Sequence, residues 1–123
     1  MHIKKRLAKP NWLKWIPLLV WVIAICYLSF SSLEHVNLPQ FSAADKIAHW
    51  GMYAVLVYFL SIPLKGKTNA FAIGVVTAIV FSAFTELIQH FWVINRFGDP
   101  FDFLANVLGI FSAYFFLRKR IKT

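Results

Sequence analysis

Charge is scarce in this chain, and acidic charge is scarcest. Only 15% of the 123 residues are charged, and five acids stand against thirteen lysines and arginines. A soluble domain usually carries about 25% charged and about 45–50% apolar residues. Here 59% are hydrophobic and 18% aromatic. The balance excludes an ordinary water-soluble globule and points to a lipid solvent. The single cysteine, Cys26, excludes an intramolecular disulfide and a thiolate metal cage. Its place in an apolar run makes it a packing residue. The five glycines are scattered, so no glycine-rich phosphate loop exists. No HExxH occurs, and no serine or cysteine shows itself as an activated nucleophile. There is no internal repeat, no low-complexity tract and no separate polar domain.

What is present is four apolar segments near the roughly 20 residues needed to cross a hydrocarbon core. They are residues 15–33, 46–64, 70–94 and 101–117, the last short and polar at its start. The linkers carry turn residues: Asn37 and Pro39, then Lys65-Gly66-Lys67, then Gly98-Asp99-Pro100. The net charge of +8 is explained by topology better than by nucleic acid. Lys4, Lys5, Arg6, Lys9 and Lys14 precede span one, Lys65 and Lys67 follow span two, and Arg118, Lys119, Arg120 and Lys122 follow span four. With both termini cytoplasmic, all eleven lie inside, as the positive-inside rule asks. Lys46 and Arg96 fall outside. Trp12 and Trp15 mark the inner interface, Trp50 and Trp92 the outer one. Residues 1–28 also have the outline of a signal peptide. The run is long enough to span, however, and its retention keeps both termini on the basic side.

This topology puts all five acids, Glu34, Asp45, Glu86, Asp99 and Asp102, in the outer half. The positive-inside rule does not require that. Asp45, His49, Tyr53 and Leu56 share a face of span two. Ser82, Glu86 and His90 recur at four-residue steps in span three, drifting about 40° per step. In span four Asp102, Asn106, Gly109 and Ala113 share a face, and Ala105, Gly109 and Ala113 form a small-residue stripe suited to close helix approach. A carboxylate such as Glu86 costs about 2.5–3.5 kcal/mol at the centre of a span, so it needs a cation, a hydrogen-bonding cluster or water. Arg96 is the cation nearest in sequence, expected to fold over Glu86 or Asp102. Asp102 also suits the N-cap of span four. The i, i+4 pairs Asp45/His49 and Glu86/His90 resemble a divalent metal site. No cysteine joins them and no HExxH occurs, so no metal or cofactor is expected. His2 and His35 read as bystanders.

The segment "DKIAHWGMYAVL" (45–56) resembles the Asp-Lys-x-x-His…Tyr motif that opens the second span of VanZ-like membrane proteins. "ELIQHFWVINRFGDPFDFLANVLG" (86–109) resembles that family's second motif, and "YLSFSS" (27–32) is similar to the end of its first span. The resemblance reaches from about residue 15 to residue 117. It implies that Asp45, Lys46, His49, Tyr53, Glu86, Gln89, Arg96, Asp102 and Asn106 are the family's polar positions. The family is named for a bacterial protein associated with low-level teicoplanin resistance, and no agreed reaction comes with it.

The expectation is an all-α fold: a single domain over 1–123, built as an antiparallel bundle of four transmembrane helices in the bacterial inner membrane. Its polar pocket opens to the extracytoplasmic side and binds a lipid headgroup, a lipid-linked envelope precursor or a glycopeptide-type antibiotic. Arg96, with Lys46, would meet an anionic group there. Two alternatives stand beside it: an acid/base enzyme acting on an envelope lipid through Glu86 or His49, and a structural bundle that binds a partner membrane protein.

Overall fold

The computed structural model describes residues 10–31, 43–94 and 97–122. Arg96 and Glu34 lie outside the described residues, as do the lysines and the arginine before Pro10, together with His2 and His35. The described chain is helical: a short 3-10 segment over Asn11–Trp15, then α1 (Ile16–Phe30), α2 (Ala43–Leu64), α3 (Ala70–Trp92) and α4 (Pro100–Lys122). All four α-helical segments are long and apolar enough to cross a membrane, α1 when counted with its 3-10 lead-in.

Local chemistry sets the limits. Pro17 sits in the first turn of α1, where its missing N–H costs nothing. Pro63 lies in the last turn of α2. Gly66 stops that helix at φ +78°, a left-handed conformation that glycine adopts without strain, and the Lys67 N–H returns to the Leu64 carbonyl. Asn69, at φ +58°, opens α3 and accepts the Ile73 N–H through its carbonyl. Asparagine tolerates that backbone better than most residues.

The interior is narrow. Ile25 of α1, Tyr53, Leu56, Val57 and Leu60 of α2, Val75 and Ala78 of α3, and Ile110 and Ala113 of α4 form its apolar part. The closest pairing is α2 with α4, made possible by the stripe Ala105, Gly109 and Ala113, whose members are all buried. A Cβ on Gly109 would overlap the Trp50 carbonyl, so only glycine permits this approach. Trp50 adds a hydrogen bond from Nε1 to the Ser112 hydroxyl at 3.1 Å. The α1 helix joins through Trp21, whose Nε1 donates to the Met52 carbonyl at 2.9 Å. Large apolar side chains face outward all around, among them Leu19, Val20, Ile23, Val80, Phe84, Leu108 and Phe116.

Candidate functional site

The polar side chains collect where the first turns of α2 and α4 meet the last turns of α3. They form three tiers. At the rim is Lys46 of α2. Its Nζ donates to Asp99 Oδ2 at 2.5 Å and to Asp102 Oδ1, with Asp45 Oδ2 at 3.8 Å. Asp99 also caps α4: its Oδ1 accepts the Phe101 N–H at 2.9 Å, and its carbonyl accepts the Asp102 N–H. Pro100 then occupies the first helical position, where proline is pre-organised. The expected cap, Asp102, sits one turn further in and holds Lys46 instead. Burial opposes ionisation of Asp99, but the Lys46 ammonium and the Phe101 N–H outweigh it and hold the carboxyl below its usual range.

The middle tier is His49, Asn106 and Glu86. His49 is 3% exposed and Asn106 fully buried. His49 Nδ1 lies 3.0 Å from Asn106 Oδ1, and the Asn106 amide donates to Ser82 Oγ at 2.9 Å and towards Glu86 Oε1 at 3.5 Å. Glu86 Oε1 is 4.0 Å from His49 Nδ1. On its other side His49 directs Nε2 towards Asp102 Oδ2 at 3.7 Å and Asp45 Oδ1 at 3.9 Å.

The floor is Tyr53, Thr85 and Ser82. The Tyr53 hydroxyl is 2.7 Å from Thr85 Oγ1, which donates to the Ser82 carbonyl at 2.9 Å. To one side, Gln89 donates from Nε2 to the Ser29 carbonyl at 2.8 Å and so ties α3 to the end of α1. That carbonyl is one of those a helix end leaves without an intrahelical donor.

Of the positions read from sequence, Asp45, Lys46, His49, Tyr53, Glu86, Asp102 and Asn106 come together, and Gln89 sits at their edge. Arg96 lies outside the described residues. The structure splits the pair Glu86/His90: Glu86 is largely enclosed while His90 is exposed, edge-on to Phe91 at 4.8 Å. The drift of a four-residue repeat explains this, and Thr85 and Gln89 take the inward places. Sequence reading missed Asp99, Thr85 and the Ser29 carbonyl as members. The Asp-Pro-x-Asp spacing of 99–102 is the signal for Asp99; a threonine in an apolar run and a backbone carbonyl carry none.

Beside the cluster a groove of about 470 Å³ opens between α3 and the start of α4. Ala83, Leu87, Pro100 and Phe103 wall it, with Glu86, His90 and Asp99 among its lining. Gly98 lets the chain pass against α3, since a Cβ there would come 2.9 Å from the Glu86 carbonyl. Comparison of the chain with protein-family models, curated proteins and solved structures finds no match.

Proposed function

We propose that this is a VanZ-like membrane protein whose groove and polar cluster bind the headgroup end of an envelope amphiphile. The ligand class is an envelope lipid, a lipid-linked precursor or a glycopeptide-type antibiotic, and the family resemblance joins this role to teicoplanin resistance. The observation that carries the reading is the groove itself. Its apolar walls suit an acyl or isoprenoid chain, while Glu86 and Asp99 lead from it to the buried polar tiers. Pockets for amphiphiles combine such apolar lining with a few placed polar groups.

In this reading the four helices form an antiparallel bundle in a bacterial inner membrane, with both termini cytoplasmic and the groove in the outer half. The outward-facing leucines, valines and phenylalanines support it, since exposed apolar area on this scale marks a lipid-facing surface. The distribution of lysine and arginine supports the direction. Arg96, two positions before Gly98 in sequence, is the cation for a phosphate or carboxylate, because its fork matches such groups bidentately. Lys46 contributes less, being already held by Asp99 and Asp102.

The test is native mass spectrometry and binding in nanodiscs, with phosphatidylglycerol, an isoprenoid pyrophosphate and teicoplanin as probes. Arg96→Gln is expected to weaken binding of the anionic probe at least tenfold while keeping the fold. Ala83→Phe, which fills the groove, is expected to do the same for every probe. Equal binding by the wild type and both folded variants would overturn the reading.

A further inference from the structure

The hydrogen bonds around His49 define which of its nitrogens is bare. The carboxylate of Glu86 can only accept, so the Asn106 amide turns its NH₂ towards Glu86 and Ser82 and its oxygen towards His49. Asn106 Oδ1 is in turn an acceptor, so His49 Nδ1 carries a proton and donates it. In the neutral ring Nε2 is then a lone pair. It belongs to a side chain that is 4% exposed, and its neighbours are Asp102 Oδ2 and Asp45 Oδ1, two more electron-pair donors. Lys46 does not fill this gap, because it engages the opposite oxygens, Asp102 Oδ1 and Asp45 Oδ2. Each carboxylate thus turns one oxygen to the ammonium and one to the imidazole.

We propose that His49, Asp45 and Asp102 form a binding site for a divalent metal ion of the zinc class. The three ligand atoms lie within 4.8 Å of one another, with 3.7 and 3.9 Å from the imidazole nitrogen to the two oxygens. A tetrahedral zinc ion with ligands at about 2.0–2.1 Å separates them by about 3.4 Å, so small side-chain rotations close the site. One imidazole and two carboxylates are a borderline-to-hard donor set, suited to Zn²⁺ and its neighbours rather than to soft ions. Asn106 supplies the second-shell feature such sites use, an acceptor that fixes the ring tautomer and orientation. The metal bound by three protein ligands keeps a fourth position for water or an anionic oxygen. Such an ion would bring positive charge to tiers where, among the described residues, Asp99 and Asp102 outnumber Lys46.

The experiment is a Zn²⁺ titration of the full chain, purified in detergent after chelation, with bound metal counted by elemental analysis and the coordination read from Co²⁺ visible absorption. No envelope lipid or antibiotic is added, and the binding assay above is run with chelator, so the two outcomes are separate. Expected are one equivalent of Zn²⁺ per chain, a four-coordinate Co²⁺ spectrum, and at least tenfold weaker binding in Asp45→Asn and in His49→Gln. Asp45 is at the rim, so Asp45→Asn decides if His49→Gln fails to fold. His90→Gln is expected to bind as the wild type does. A folded wild type that binds no ion, or equal affinity in Asp45→Asn and the wild type, would overturn the proposal.

Discussion

Lys46 and Asp102 are joined across 56 residues of chain, the lysine Nζ on the carboxylate Oδ1. This contact links the first turn of α2 to the first turn of α4, and Asp99 doubles it. Removing the cation leaves two carboxylates with side chains 9% and 11% exposed. Lys46→Met is therefore expected to destabilise by roughly 2–4 kcal/mol, somewhat under the about 3–5 kcal/mol of a fully buried pair, because the Lys46 side chain is itself 26% exposed. Adding Asp102→Asn is expected to recover part of the loss. Unfolding in mixed detergent measures both, and a Lys46→Met variant as stable as the wild type would show the contact to be energetically idle.

Through Asp99, the same arrangement makes stability depend on pH. The Asp99 carboxyl titrates below its ordinary 3.8 in the folded chain, since Lys46 and the Phe101 N–H outweigh the effect of burial. A depressed carboxylate contributes stability above its unfolded value and loses it as pH falls through the folded one. The melting temperature of the wild type is expected to drop as pH falls below about 4. Asp99→Asn keeps the helix cap, because asparagine also accepts the Phe101 N–H, but it lacks the charge. It should be less stable at pH 7 and should converge with the wild type in acid. Parallel curves for the two proteins would exclude this role.

Membrane direction is tested by labelling. In a Cys26→Ser background, a cysteine at Asn37 is expected to react with a membrane-impermeant maleimide on intact cells. A cysteine at Lys65 should react only after permeabilisation. The reverse pattern would invert the topology and place the polar tiers on the cytoplasmic side.

Much of this was legible in the chain before any coordinates. Apolar length alone located the helices: the span read as 46–64 is Ala43–Leu64, and 70–94 is Ala70–Trp92. The stripe Ala105, Gly109, Ala113 correctly predicted a close helix contact, because small side chains have few other uses on a membrane helix. His49, Tyr53, Glu86, Asp102 and Asn106 were visible because polar groups in apolar segments must find partners. What stayed hidden depends on three-dimensional pairing. Asp99 reads as a turn residue and serves two elements at once. Among the described residues the cation on Asp102 is Lys46 of α2, 56 residues away in sequence. The residue grouped with Asp45 and His49 is Asp102 of α4, whereas the sequence spacing set the pair Glu86/His90 of α3 beside them.

The floor of the cluster predicts an asymmetry between two conservative substitutions. Thr85 Oγ1 spends its one hydrogen on the Ser82 carbonyl, so towards Tyr53 it accepts and the phenol donates. Tyr53→Phe removes the donor and leaves Thr85 bonded to Ser82. It is expected to cost about 0.5–1.5 kcal/mol, the net worth of an ordinary hydrogen bond. Thr85→Val keeps the shape but takes the acceptor from a phenol on a residue that is only 1% exposed. The phenol then keeps only the Ser82 side chain beside it, and a buried donor that loses its nearest acceptor costs more, about 1–3 kcal/mol. The double variant removes both polar groups and is expected to be no worse than Thr85→Val alone, giving a favourable coupling in the double-mutant cycle. Unfolding in mixed detergent reads all four proteins. If Thr85→Val proves milder than Tyr53→Phe, the phenol donates to the Ser82 hydroxyl, and Thr85 is not its main acceptor.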